Sequence, residues 1–222
     1  MYIDLISESL KKKYDSEMRG GVHISDIVLC PRKSVERRLN PKPVTNRELG
    51  FFTVGRSVHE ALQILSDNVT HESKPRFEIE KEIKFQTKNM GEVLLGHVDL
   101  YDSVNNIPIE VKTARTDIKA PKAHQVQQLK CYMGILNSKV GYIIYQQLMN
   151  FGDTPYLEFK IEMTDEELKA HMAWIEPMSI DYEKALKAKD YKLAMNIVND
   201  KSLNWLCRGC ILEEECKGVK TI

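Results

Sequence analysis

The spacing of apolar residues changes along the chain, and each change marks an element. In the stretch from Gly55 to Leu65, Val58, Ala61, Leu62 and Leu65 recur at helical spacing, which predicts a helix with that stripe buried and His59 at its edge. Just before it, Pro41-Lys42-Pro43-Val44-Thr45-Asn46 predicts a loop, because proline removes donors and biases its predecessor toward extended backbone. From Phe77 to Glu162 the period shortens to that of strands. Phe77, Ile79, Ile83 and Phe85 alternate imperfectly, and Asn89-Met90-Gly91 predicts a hairpin turn into a strand from Glu92 to Asp102. Further strands are expected over Ile107 to Lys112, Val140 to Leu148 and Tyr156 to Glu162. Between them, Val126, Leu129, Met133 and Leu136 predict a helix over Lys122 to Asn137 that returns the chain to the sheet as a crossover. Thr164 and Glu167 form a capping-box signal for a long polar helix, expected to break or kink near Pro177. The pattern is therefore α/β, a mixed sheet flanked by helices.

Length and composition narrow this little. The 222 residues suit one domain spanning 1–222, with a core over about 50–165, and 42% hydrophobic with 29% charged residues is ordinary for a globular chain. The first residues carry acids where a leader would be basic, and no run is long enough for a membrane span, so a cytoplasmic protein without membrane contact is expected. Charge is more informative: 32 basic and 32 acidic residues cancel, so any attraction for nucleic acid has to come from local patches. The candidates are Lys11-Lys12-Lys13, the group Arg32, Lys33, Arg37 and Arg38, and Arg115, Lys119 and Lys122; each run taken alone reads as an ordinary solvated face, and only its closeness to the other motifs makes it a candidate.

Candidate chemistry gathers on two strands. Glu110 and Lys112, two residues apart, project to one face while Val111 turns to the core. Asp99, in Gly96-His97-Val98-Asp99, either belongs with Glu110 and Lys112 to an exposed cross-strand charge pair, the reading these residues favour when taken alone, or joins Glu110 around magnesium or manganese, since hard cations take carboxylate oxygens. Lys112 then faces the attacking water and the scissile phosphate, where it orients the nucleophile; acting as a base requires a depressed pKa. His124, Gln128 and Tyr132 recur every four residues and form a polar stripe on the crossover helix, either a solvated edge or a substrate contact. His59 is either an ordinary helical histidine or a metal ligand.

Of the five cysteines, Cys207, Cys210 and Cys216 crowd together and Cys30 stands far upstream. In a reducing compartment such clusters ligate metal more often than they pair, and both zinc and iron–sulfur fit thiolates. The fifth, Cys131, reads as a small apolar filler.

Taken in order, Cys30-Pro31-Arg32, Gly55-Arg56-Ser57-Val58-His59, Gly96-His97-Val98-Asp99, Glu110-Val111-Lys112, Gln128-Leu129-Lys130-Cys131-Tyr132 and Cys207-x2-Cys210-x5-Cys216 resemble the PD-(D/E)XK nuclease superfamily. Within it they resemble the iron–sulfur RecB-like branch that includes the CRISPR-associated Cas-four nucleases. The resemblance implies a restriction-endonuclease-like sheet whose N- and C-terminal segments, around residue 30 and over 203–222, meet at an iron–sulfur cluster. It implies that His59, Asp99, Glu110 and the Val111 carbonyl hold manganese or magnesium, that Lys112 is the catalytic lysine, and that Gln128 and Tyr132 assist at the substrate. The split of Cys30 from the other three matches the iron–sulfur members and favours a [4Fe–4S] cluster over zinc, with [2Fe–2S] as the alternative. The expected activity is hydrolysis of single-stranded DNA, or of DNA with single-stranded ends, in the 5′-to-3′ sense, with CRISPR adaptation integrase proteins as partners and a homo-oligomer compatible with it. The alternatives are a repair or recombination nuclease of the same branch and a non-catalytic iron–sulfur DNA-binding adaptor.

Overall fold

The computed structural model describes residues 8–12, 21–86, 93–149 and 155–218. After a helical turn at 8–12, the elements in order are β1 (Val22–His23), α1 (Ile24–Val28), α2 (Pro31–Leu39), α3 (Asn46–Asn68), β2 (Thr70–His71), β3 (Lys74–Pro75), β4 (Phe77–Gln86), β5 (Val93–Asp102), β6 (Ile107–Ala114), α4 (Ala123–Leu136), β7 (Val140–Gln147), β8 (Tyr156–Glu162), α5 (Asp165–Ala188) and α6 (Glu213–Gly218). Tight 3-10 turns at Tyr191–Leu193 and Lys201–Leu206 link α5 to α6.

The main sheet runs β1-β5-β6-β7-β8, with β4 also paired to β5. It is mixed: β1 is parallel to β5 and β6 to β7, and the other pairs are antiparallel. The parallel pair β6–β7 is joined through α4, the expected crossover. Leu129 and Met133 of α4 are fully buried against the sheet, and Val126 and Leu136 pack at the margin of the same core. Helix α5 closes that layer with Leu168, Ile175 and Tyr182. Its start is the predicted capping box, in which Thr164 Oγ accepts from the Glu167 amide and Glu167 Oε2 accepts from the Thr164 amide.

Several sequence expectations change. Helix α3 begins at Asn46 rather than Gly55, so only 41–45 remain loop, and Ala61 faces solvent although Val58 is buried. The stripe misleads because α3 packs on β4, β6 and β3 along only part of its circumference and leaves much of its length exposed. Helix α5 continues through Pro177 instead of breaking, since proline costs one backbone bond and the packed face of the helix outweighs it. The strands β1 to β3 are too short to carry a period; Glu72 and Ser73, both at positive φ, form the two-residue turn of the β2–β3 hairpin. The turn expected at Asn89-Met90-Gly91 lies outside the described residues.

Candidate active site

The sheet and the helices α3 and α4 enclose a cavity of about 690 Å³ whose walls include His59, Asp99, Glu110, Lys112, Gln128 and Tyr132. Its geometry starts from a defect between two strands. Residues 100–102 of β5 pair with 107–109 of β6, and the ladder then stops. In its place Asp99 Oδ2 accepts the Val111 amide at 2.7 Å. The substitution holds Asp99 and Glu110 side by side in the interior, and both are buried. Val111 is buried as its alternation predicts, but so is Glu110, because β6 is covered on both faces.

Among the described residues Glu110 has one ionic contact, Oε1 with the Lys112 ammonium, and neither of its oxygens has a hydrogen bond of ordinary geometry. Burial first, and the neighbouring Asp99 second, push its pKa up to about 8. Burial likewise raises Asp99 above the usual carboxylate range, against the pull of Lys112 and His59. For Lys112, burial works toward the neutral amine, but Glu110 and Asp99 more than offset it and raise the pKa. Its surroundings thus favour the Lys112 ammonium at neutral pH, and the depressed value that a general base requires is not what they produce.

His59 reaches across from α3. Its Nδ1 lies 2.5 Å from Glu80 Oε1 and 3.8 Å from Asp99 Oδ1. The hydrogen bond with Glu80 raises the histidine pKa and lowers that of Glu80. His59, Glu80 and Asp99 each offer a ligand atom within 4.8 Å of the others. This compact trio shares His59 and Asp99 with the expected ligand set but has Glu80 where Glu110 was expected, and Glu110 lines the same cavity. Two buried carboxyls against one ammonium, with an imidazole and a further carboxylate alongside, suit a hard divalent cation.

Glu80 was not singled out from the sequence. It alternates with Glu78 and Glu82 on the exposed side of β4 and looks like one more surface charge. Two structural features distinguish it. The β4–β5 ladder pairs Ile79 with Leu100 and Lys81 with Val98 but skips the Glu80 position, and Glu80 has φ of 50°, the left-handed region that costs a side-chain-bearing residue about 1–2 kcal/mol. A hairpin centred near residues 89–90 would have put residue 80 opposite Asp99, and that arithmetic was the available signal.

Helix α4 supplies the opposite wall. His124, Gln128 and Tyr132 do share one face, and it lines the cavity together with Gln125. Gln128 Nε2 donates to Tyr132 Oη at 2.7 Å, while burial keeps the Tyr132 phenol protonated. The Tyr132 ring lies against the backbone of β5 because Gly96 has no side chain: a Cβ there would come 2.9 Å from Tyr132 Cε1 and 2.7 Å from Ile24 Cδ1. Tyr145, the β7 partner of Lys112, donates to Gln125 Oε1 and accepts the Lys122 amide at 3.1 Å, fixing the start of α4 over the site. His23 and His97, neither proposed as functional, stack at 5.9 Å on the cavity wall.

The cysteines fall at a second place. Cys30, at the start of α2, and Cys207, Cys210 and Cys216 line one small cavity of about 20 Å³. Gly209, at φ of 68°, turns the chain between Cys207 and Cys210. All four are free thiols, and burial raises the pKa of Cys30 and of Cys207. The neighbouring cations are already committed: Arg32 donates to the carbonyls of Ala194 and Lys192 at 2.9 and 3.1 Å, Lys33 to that of Leu206 at 3.3 Å, and Arg38 pairs with Asp26 at 2.6 Å. Three of the four residues in that candidate patch are therefore fasteners of the fold, whereas Arg115, Lys119 and Lys122 are exposed. Cys131 is a buried filler as expected, with its Sγ 3.2 Å from His171 Nε2.

Strand order, crossover and site together define an α/β protein whose mixed sheet, flanked by helices, carries a cavity lined by acids, a lysine and histidines. No family model matches the chain. It is similar to the CRISPR-associated exonuclease Cas4 of Saccharolobus solfataricus, 24% identical over 148 residues that cover 61% of this chain and 70% of that protein. The crystal structure of SSO0001 superposes with a TM-score of 0.67 at 21% identity, covering 100% of this chain and 98% of the other. An alkaline exonuclease (LHK-Exo) from Laribacter hongkongensis aligns at a TM-score of 0.45 and 16% identity over 80% of this chain and 98% of its own, below the level from which a shared fold follows. The resemblance to the Cas-four branch read from the motifs is thereby borne out. Among the described residues, no helix is long and apolar enough to cross a membrane.

Proposed function

We propose that this chain is a divalent-metal-dependent DNA exonuclease of Cas-four type that hydrolyses phosphodiester bonds in single-stranded DNA or single-stranded ends, in the 5′-to-3′ sense. The observation that carries this reading is the pair of buried, under-partnered carboxyls Asp99 and Glu110, set beside an ammonium and an imidazole in one cavity. Structural acids are given partners; these have been left for a ligand.

His59, Glu80, Asp99 and Glu110 would hold manganese or magnesium, with the Val111 carbonyl as a further expected ligand. Bound there, such a cation polarises a phosphoryl oxygen and lowers the pKa of a bound water. Lys112 keeps its proton and donates to the scissile phosphate or to the attacking water, offsetting charge that grows as the phosphorus accepts the nucleophile. Tyr132 and Gln128 act as a linked pair of donors on the opposite wall, and the raised Tyr132 pKa keeps its proton available. The buried floor excludes bulk water, which strengthens each of these contacts.

The four thiols fit a thiolate-ligated group. Cys30, Cys207, Cys210 and Cys216 would hold a [4Fe–4S] cluster, or [2Fe–2S] as the alternative, which would staple the segment around Cys30 to the C-terminal segment. A role in CRISPR spacer acquisition or DNA end processing, with adaptation integrase proteins as partners, is part of the same proposal; the similarity to a CRISPR-associated exonuclease of Saccharolobus supports the CRISPR association alone.

The test is degradation of end-labelled single-stranded DNA by anaerobically purified, iron-loaded protein, with manganese or with EDTA, beside Lys112→Ala. Manganese-dependent shortening that the variant loses is the expected result. Absence of cleavage by folded, iron-loaded protein overturns the proposal.

A further inference from the structure

Two exposed aromatic residues outside the cavity lining are each paired with a cationic or imidazole group close to it in contact or in chain. Trp205, 52% exposed, is on the 3-10 turn before the cysteine clasp, and its ring lies 5.6 Å from that of His124, a residue of the cavity wall. Phe51, 43% exposed, is on α3 eight residues before His59, and the guanidinium of Arg115 sits 4.5 Å from its ring centroid, with that of Arg47 at 5.8 Å. Arg115 follows Lys112 by three residues at the end of β6, about 10 Å along the strand. Helix α4 begins at the same end of the β6–β7 parallel pair, through the contact of Lys122 with Tyr145. Both aromatic groups therefore stand at the carboxyl ends of these strands, where open α/β sheets receive their ligands.

An exposed indole and an exposed phenyl ring cost hydration in the free protein, and a lone one needs no explanation. Two of them near one cavity, with the exposed cations Arg115 at the Phe51 ring and Arg208 three residues along the chain from Trp205, match what unpaired nucleotides present: flat apolar base faces alternating with phosphates. A duplex hides its base faces inside the stack and offers these rings nothing to cover.

We propose that Trp205 and Phe51 are stacking platforms for unpaired bases on either side of the scissile phosphate, with Arg115 and Arg208 meeting the adjoining phosphates, and that they make the site selective for single strands over duplex. The inference rests on the nuclease reading above and adds to it the residues that choose the strand. His124 backs Trp205 and sets its distance from the cavity, and burial holds that imidazole toward its neutral form, so its contribution is contact and not charge.

The test uses the full-length, iron-loaded protein in EDTA, so that binding is read without cleavage. Anisotropy of a labelled oligothymidylate, with a strand of equal length carrying abasic sites throughout as second probe, compares wild type with Trp205→Ala and Phe51→Ala. Each substitution should weaken oligothymidylate binding about 5- to 100-fold. Binding of the abasic strand, which has phosphates but no faces to stack, should be unchanged, and Trp205→Tyr and Phe51→Tyr should recover most of the loss. Unchanged oligothymidylate affinity in both alanine variants overturns the platforms while manganese-dependent cleavage by wild type leaves the nuclease reading standing. Equal losses for both probes also overturn them, because the rings would then be holding the fold. Wild type that neither binds nor cuts any strand removes both proposals together.

Discussion

Strand β5 carries two buried aspartates three residues apart, and they have opposite fates. Asp102, 3% exposed, receives Arg76 through Nη2 at 2.6 Å and Nε at 3.1 Å, the Asn105 side chain at 2.9 Å, and the amides of Val104 and Asn105. Burial pushes its pKa up, but these donors more than offset it and hold the carboxyl below the usual range. Asp99, 5% exposed, has one amide and no such escort, and its pKa is raised. Burial is common to both; partnership is what differs. Asp102 ties off the β5–β6 turn and is finished, whereas Asp99 and Glu110 are held in a state that a cation would relieve.

The contrast breaks most visibly in activity. Asp99→Ala should reduce manganese-dependent cleavage by about 100-fold or more. Asp102→Ala should leave turnover near wild type but cost about 2 kcal/mol of stability, since it orphans Arg76 and two turn amides. Kinetics with parallel denaturant melts would show it, and equal damage to activity from both substitutions would end the distinction.

Next in size is the pH dependence of the metal-free protein. Glu110, pushed up to about 8 when folded, binds its proton more tightly than in the unfolded chain, so its ionisation opposes folding as pH rises from the ordinary carboxylate range toward 8. His59 is also raised, so its contribution is present below the ordinary histidine pKa and is lost as pH rises through the folded value. Both make the EDTA-treated protein melt higher near pH 6 than near pH 8. Glu110→Gln should flatten the slope, and an unaltered slope in that variant would assign it elsewhere.

Manganese sharpens the same point from the other side. At one hundred times its dissociation constant it should add about 2.7 kcal/mol of stability, a shift of roughly 5–10 °C for a chain of this size. Asp102→Asn should keep the shift and Asp99→Asn should lose it in a thermal melt, with iron absorbance recorded as a control for the cysteine site.

Much of this was legible in the sequence because the central strands and α4 obey their periods. Glu110, Lys112, His124, Gln128 and Tyr132 could be assigned to faces by counting, and the faces do meet in one cavity. What could not be counted was what depends on breaks in regularity. The β5–β6 ladder stops where Asp99 replaces a backbone partner, and Glu80 leaves the β4 ladder through its own backbone. Neither event has a signature in hydrophobic pattern. The basic run near Cys30, on its sequence a solvated face or a candidate patch, fastens the fold, and that role was hidden for a related reason: charge is visible in a sequence, but the carbonyls that consume Arg32 and Lys33 come from residues more than 150 positions away.

The left-handed backbone of Glu80 has a consequence for how this protein could be altered. Glycine or asparagine accepts that conformation at little cost, so Glu80→Gly should relieve up to about 1 kcal/mol of backbone strain. The same change removes the carboxylate that orients His59. A screen that rewards thermal tolerance alone would tend to drift toward glycine here and weaken its own catalyst. Glu80→Asn, which keeps an oxygen while easing the backbone, is the substitution on which durability and turnover could be traded in measured steps.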